Sequence, residues 1–319
     1  MTDPAALSLP FYPYSRYLRE RFSRRVRKLC VDAGFTCPNL DGRKGHLGCT
    51  FCNNAAFSAG SRGERLDLRR QFERGRRYLA RRYGATDYLV YFQAYSNTDG
   101  PVQKLERLYR TFENEPDVVG VAIGTRADCL EPAVVDLLDD LAAETHVTLE
   151  IGIQSIHDRT LRKIRRGHSW RDTVTALERC SDRRFDLCLH VILGLPGEGR
   201  GEVRETATTL ARYPFHGVKL HNLHVVRGTT LAEAHRAGRL HLPDFATYIS
   251  WAADFLERTP PGVAVQRLVG DAPPALLLSE PWCHDKQRAY RHLTAELQRR
   301  GTSQGDRCQS ALHPLVAGT

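Results

Sequence analysis

The chain has 319 residues, 41% of them hydrophobic, enough for one large α/β body or two small ones and too apolar for a disordered chain. Its net charge is +9, and all but six of its 46 basic residues are arginine, so a polyanionic partner such as RNA is admitted but not required by composition. No run approaches the roughly 18 apolar residues of a membrane span, and nine cysteines behind an opening Met1-Thr2-Asp3-Pro4-Ala5 without a leader pattern point to a reducing, cytoplasmic setting with no membrane partner.

Taken in order, residues 1–23 are Pro- and Tyr-rich and then basic, with Arg16, Arg19 and Arg21, and are expected to lie on the body as an N-terminal basic arm. Val26 to Val31 alternates apolar and basic residues and reads as a strand that delivers a polar, Gly-rich loop at its end. From Leu66 to Tyr83 the spacing predicts a helix with Leu68, Phe72, Gly75 and Leu79 on one face and Arg70, Arg74, Arg77 and Arg81 on the other. Such a stripe is repulsive by a few tenths of a kcal/mol per pair unless an anion meets it, and a solvated outer face is the simpler explanation.

Strands are then expected around Tyr88 to Phe92, Val118 to Ile123, Val147 to Ile153, Phe185 to Leu193 and Gly217 to Leu220, with helical stretches between them. Six strand-helix units with near-continuous apolar strands mean a parallel sheet covered by helices, curled or open. After Thr230 the pattern weakens into a helix near Tyr248 to Glu257, Pro-rich connectors, Trp282-Cys283-His284, a helix from Arg288 to Arg299 and a frayed tail from Gly301. Residues 241–319 are expected to pack on the open side of the core formed by residues 24–240.

Cys37, Cys49 and Cys52 sit in the polar loop, with eleven residues between the first two and two between the last pair. Thiolates so spaced on a flexible loop suit a soft metal. Two chemistries stay open. A zinc site closes with a fourth ligand, for which His46 is the nearest histidine, and would make a non-catalytic, zinc-stabilised RNA-binding protein; an iron-sulfur cubane on three thiolates keeps one iron open. Cys30, Cys129, Cys180 and Cys188 lie in or beside predicted elements, where core packing accounts for them. His221 and His224 are spaced like a metal pair, although satisfied polar residues are the commoner case, and Cys283 is either a redox thiol or an inert buried one.

The loop, with Phe51 just before its last cysteine, resembles the cluster loop of radical S-adenosylmethionine (SAM) enzymes. Its long first arm resembles the YhcC-type and Elongator catalytic subunit members. Further phrases carry the resemblance through most of the chain: Gly34-Phe35-Thr36-Cys37-Pro38-Asn39, Tyr91-Phe92-Gln93-Ala94-Tyr95, Gly124-Thr125-Arg126-Ala127-Asp128-Cys129, Gly194-Leu195-Pro196-Gly197-Glu198 and Lys219-Leu220-His221. It implies a partial (β/α)6 barrel of the TIM-like radical SAM type over residues 24–240, with its chemistry at the strand ends. It also implies a 4Fe-4S cluster on Cys37, Cys49 and Cys52, SAM as the second cofactor, and an electron donor of flavodoxin or ferredoxin type. By the same resemblance Gln154 contacts the ribose, Arg166 twelve residues later forks onto the carboxylate, and Gln93 and Tyr95 stand where relatives carry a Gly-Gly-Glu phrase near the amino group. His190 replaces an acidic residue of some relatives, and RNA, as tRNA, enters as a possible substrate class.

Overall fold

The computed structural model describes residues 9–53 and 67–309. Every second strand residue is apolar and faces the helices: Leu29 and Val31, Val90 and Phe92, Val121 and Ile123, Leu149 and Ile151, Leu187 and Leu189, then Val218 and Leu220, all in one buried cluster. Period-two alternation therefore places the intervening residues on the concave face of the sheet. That inner phase is unusually polar, with Lys28, Glu150, His190 and Lys219.

Helix α1 (Tyr14–Phe22) precedes strand β1 (Val26–Val31), and α2 (Leu68–Tyr83) leads to β2 (Asp87–Phe92). Then follow α3 (Val102–Tyr109), β3 (Val118–Arg126), α4 (Pro132–Ala142) and β4 (His146–Gln154). Two short helices, α5 (Asp158–Lys163) and α6 (Trp170–Arg179), separate β4 from β5 (Asp186–Leu193), and α7 (Arg200–Leu210) leads to β6 (Gly217–Asn222). The chain ends with α8 (Thr230–Arg236), α9 (Phe245–Leu256), β7 (Ala264–Arg267) and α10 (Lys286–Arg300). All strand pairs are parallel and the order is β1-β2-β3-β4-β5-β6-β7, a curled, partial TIM-like barrel.

Three local expectations change. The sheet has seven strands where alternation suggested six, because β7, only four residues long, pairs with β6. A strand so short carries too few residues for a periodic signal. Within the basic arm, α1 is a helix whose Leu18 is buried against Val26, Leu89, Tyr91 and Ala122, so it fills the inner face near the strand starts. Residues 301–309 are not frayed: the Gln304 side chain donates to Pro260 O (2.7 Å) and Val263 O (2.8 Å) and accepts from Tyr12 N–H (2.8 Å). The expected start of α2 at Leu66 falls outside the described residues.

The two sheet edges meet inside the barrel. Lys28 Nζ of β1 donates to Gln266 Oε1 of β7 at 2.7 Å, while Tyr12 O accepts from Val265 N–H at 2.8 Å. On the outside, Asp254 of α9 is fully buried and accepts from Arg204 of α7 and Arg300 of α10, both at 3.0 Å, and from Arg200 at 2.5 Å. Burial alone would raise the Asp254 pKa, but these arginines outweigh it and hold the carboxyl below its usual value. A folded pKa below the unfolded one adds stability that is full above about pH 4 and is lost as pH falls further. Replacing Arg300 by Met should therefore cost about 2–4 kcal/mol at pH 7, less than for a carboxylate left wholly unpaired because Arg200 and Arg204 remain. The gap should narrow at about pH 3, where the carboxylates begin to protonate; urea unfolding of both proteins at the two pH values measures it, and an equal gap would contradict the assignment.

Candidate active site

The loop after β1 is fixed by its own backbone and by the turn after α5. Leu40 N–H donates to Cys37 O at 2.7 Å, Cys52 N–H to Cys49 O at 2.9 Å, and Thr50 N–H to Ile164 O at 3.0 Å. Asn39 is the principal clamp: buried, it donates through Nδ2 to Arg165 O and Arg166 O, both at 2.9 Å, and lies 3.4 Å from Cys49 Sγ. Gly167 meets this clamp at φ +74°, where an added Cβ would lie 2.1 Å from Asn39 Oδ1, so only glycine fits. The turn that carries Arg166 and the loop that carries the cysteines are thus locked together.

Cys37, Cys49, Cys52, Phe51, Gln93, Gln154, Arg166 and His190 all border one cavity of about 180 Å³ at the C-terminal ends of the strands. Tyr95 borders it too; His46, His221, His224 and Cys283 do not. Two guanidinium groups point at the sulfurs, Arg126 Nη1 at 3.8 Å from Cys37 and Arg166 Nη1 at 3.7 Å from Cys49. Arg126 was not singled out as a site residue from sequence. It is buried, forks onto Asp128 (2.9 and 3.0 Å) and donates to Arg166 O at 2.8 Å. Gln154 ends β4 at φ +72° and Tyr95 sits at φ +65°, conformations that cost non-glycine residues of order 1–3 kcal/mol and cluster at functional sites.

The donor set fits a cluster. Burial first, then the neighbouring Cys49 and Cys37, push the Cys52 thiol up to about 12, and a cation beside it is what would favour its thiolate. N–H donors from Arg126, Arg166 and Asn39 are the partners thiolates need. Zinc would draw sulfurs to within about 4 Å of one another, given a Zn–S bond near 2.3 Å. Among the described residues, the one trio of donor atoms within 4.8 Å of each other is instead Glu150, Cys188 and His190. His46 is exposed, its ring lies over Gly42, and it does not border the cavity that the three thiols share. The three sulfurs are not all within 4.8 Å of one another, and with arginine donors turned toward two of them the set fits an iron-sulfur cluster.

Below the cavity lies an ion core that the sequence reading missed. Glu150 of β4, 1% exposed, accepts from Lys28 of β1, Lys219 of β6 and His190 Nε2 (2.8 Å). Lys219 Nζ also stands 4.6 Å from the Tyr91 ring centre. Burial would push Glu150 up, but Lys219 and Lys28 hold it well below the usual carboxylate range. Burial, with Lys28 adding repulsion, brings Lys219 down to about 8 against the pull of Glu150; burial, with Lys219 adding repulsion, brings His190 down to about 4, hence neutral at pH 7. Lys28 moves the other way because Glu150 outweighs its desolvation; its side chain is 15% exposed against 6% for Lys219, so it keeps its charge more easily. With two ammonium groups on its carboxylate, the Glu150, Cys188 and His190 trio repels a metal cation. A signal was available: each of these residues occupies the inward phase of a strand whose other phase is apolar.

Known proteins resemble this chain throughout. The Radical SAM superfamily model matches residues 41–210 and the Radical_SAM C-terminal domain model residues 215–299. YtqA of Bacillus subtilis (strain 168) is 36% identical over 296 residues, 92% of both chains, and protein YhcC of Escherichia coli (strain K12) is 36% identical over 285 residues, 89% of this chain and 91% of its own. Among solved structures, archaeal Methanocaldococcus infernus Elp3 with an N-terminal deletion superposes with a TM-score of 0.65 at 18% identity, over 89% of this chain and 65% of that one, a likeness of fold. No helix among the described residues is long and apolar enough to cross a membrane. Matched over most of its length by both sequence comparisons, and curled into the fold they imply, this chain belongs to the radical SAM superfamily of enzymes.

Proposed function

We propose that this chain binds a 4Fe-4S cluster through Cys37, Cys49 and Cys52 and reductively cleaves SAM in the cavity they border. The observation that carries the proposal is the convergence of three thiols, with two guanidinium groups pointing at them, on one cavity at the strand ends. When bound, the cluster supplies an electron to the SAM sulfonium, yielding methionine and a 5'-deoxyadenosyl radical.

The chain's own residues bind and orient. Arg166 is held by Nη2–H donation to Gly152 O at 2.6 Å, and its Nε has no partner among the described residues, leaving a donor for the SAM carboxylate. Gly152 leaves the room: a Cβ there would come within 2.7 Å of Gln154 Nε2 and 3.0 Å of Arg166 Nη2. Gln154 is assigned to the ribose and Gln93 to the amino group. Phe51, packed on the cluster of Leu161, Ile164 and Ile192, shields the cluster side from water. His190 presents Nε2–H to Glu150, which leaves Nδ1 as an acceptor. An electron donor of flavodoxin or ferredoxin type completes the cycle, and a cytoplasmic setting matches an oxygen-sensitive cluster.

RNA as the substrate is favoured by one observation: Arg74, Arg77 and Arg81 are exposed around Tyr78 and form no ion pair with any described residue. The helix runs back from the cavity toward the strand starts, so only a large substrate spans both.

Alanine at Cys37, Cys49 or Cys52 should abolish the iron-sulfur absorbance of anaerobically reconstituted protein, whereas Cys129→Ala and Cys188→Ala should keep it; retention of the absorbance by a variant of the first group disproves the ligand set. Arg166→Ala should weaken SAM binding by about 1.5–3 kcal/mol, a lost charge-assisted bond, in equilibrium titration. If RNA binds, replacing Arg70, Arg74, Arg77 and Arg81 together by Gln should flatten the log-log salt dependence of total tRNA binding by about 0.7–0.9 per lost contact. Identical slopes for both proteins would exclude the stripe.

A further inference from the structure

Inside the barrel, three side-chain cations meet one carboxylate. Lys28 and Lys219 share Glu150, while the half-buried side chain of Arg267 of β7 makes no hydrogen bond or ion pair among the described residues. Arg267 neighbours Lys219 across the β6–β7 ladder, and Lys219 neighbours His190 across β5–β6. Its charge contributes to the depressed pKa values of Lys219, His190 and His221. His221 Nε2 is buried with no hydrogen-bond partner among the described residues, and its ring centre is 5.3 Å from that of His190. The acid next along from Arg267, Asp271, is paired with Lys286 at 2.6 Å; against burial, Lys286 first and Arg267 behind it hold its carboxyl below the usual value. Glu150 therefore has no charge to spare for Arg267 and Asp271 is shared with Lys286, so the half-buried guanidinium keeps its donors free of any direct ion pair among the described residues and open to an anionic ligand.

The position is also not sealed. The edges β1 and β7 are joined by Lys28 and Gln266 at 2.7 Å. At the next inward position of each strand, Cys30 keeps accessible surface and Arg267 is half-buried, so the inner face is not packed shut between the two edges. From there Lys219, Glu150 and His190 lead to the cavity, which Glu150 and His190 border.

We propose that Arg267, with Lys219 and His221 behind it, is an oxyanion subsite that holds a carboxylate or phosphate group of the substrate at the opening between β1 and β7, directing the rest of the molecule into the cavity. The fork of a guanidinium matches either group, and the neutral His221 adds one donor. The proposal rests on the assignment of SAM cleavage to that cavity.

Inorganic phosphate and malonate, titrated separately into the whole reconstituted chain by calorimetry, test it and distinguish the two anion types. At least one should bind, SAM should not displace it, and Arg267→Gln should weaken it tenfold or more. Arg267→Lys should recover part of the loss, while Arg171→Gln, exposed on α6, should not change the affinity. Absence of binding by both anions, equal affinity in Arg267→Gln, or displacement by SAM would overturn the subsite. SAM binding by the wild type is measured in parallel: its failure counts against the cavity assignment alone, because anion binding is read without it.

Discussion

The carboxylate of Glu150 is the interaction on which the barrel's interior depends. It draws Lys28 from one sheet edge, His190 and Lys219 from the next strands, and so ties β1, β4, β5 and β6 across the concave face. Burying an ion is costly, and a buried cluster of this kind holds only when each charge has its partners; removal of the carboxylate would leave two ammonium groups in a low-dielectric interior, a loss in the range of about 3–5 kcal/mol. In exchange the inner face carries a polar core that reaches the cavity through Glu150 and His190, while apolar packing fills the helix side and, under α1, the inner face near the strand starts.

Above that core, the cysteine loop is held in place by neutral and cationic donors. Asn39 grips the Arg165–Arg166 turn, Arg126 grips Arg166 O, and both arginines turn a guanidinium corner toward sulfur. The residue assigned to the SAM carboxylate is thereby coupled to the loop assigned to the cluster, so both cofactors would be positioned by one rigid unit. Such coupling is what cofactor chemistry asks of a protein: fixed geometry around groups whose reactivity is their own.

The excess of arginine divides into two populations. Arg126, Arg166, Arg200, Arg204 and Arg300 are committed to carboxylates, carbonyls or sulfurs. Arg74, Arg77 and Arg81 stand in solvent on α2. Net charge alone cannot separate these populations, which is why a basic composition is weak support for a polyanionic partner.

Local pattern was enough for the strand-helix alternation, the parallel sheet and the three-cysteine loop, because each is written in spacing along the chain. The family resemblance named Gln93, Gln154, Arg166 and His190, and the fold gathers them at one cavity: Gln93 follows β2, Gln154 ends β4, His190 faces inward from β5, and the turn after α5 brings Arg166 back over the strand ends. Strand β7 escaped notice because four residues carry no period, and α1 because its few buried side chains have meaning only once a barrel exists to receive them. His46 lies near the cysteines in sequence, yet its ring turns toward Gly42. Glu150, Lys28, Lys219 and Arg267 lie on four different strands, separated by up to 239 residues between Lys28 and Arg267. Only sheet order and curl bring them to one interior, since charge pairing across a barrel depends on distance in space and leaves no trace in the distance along the chain.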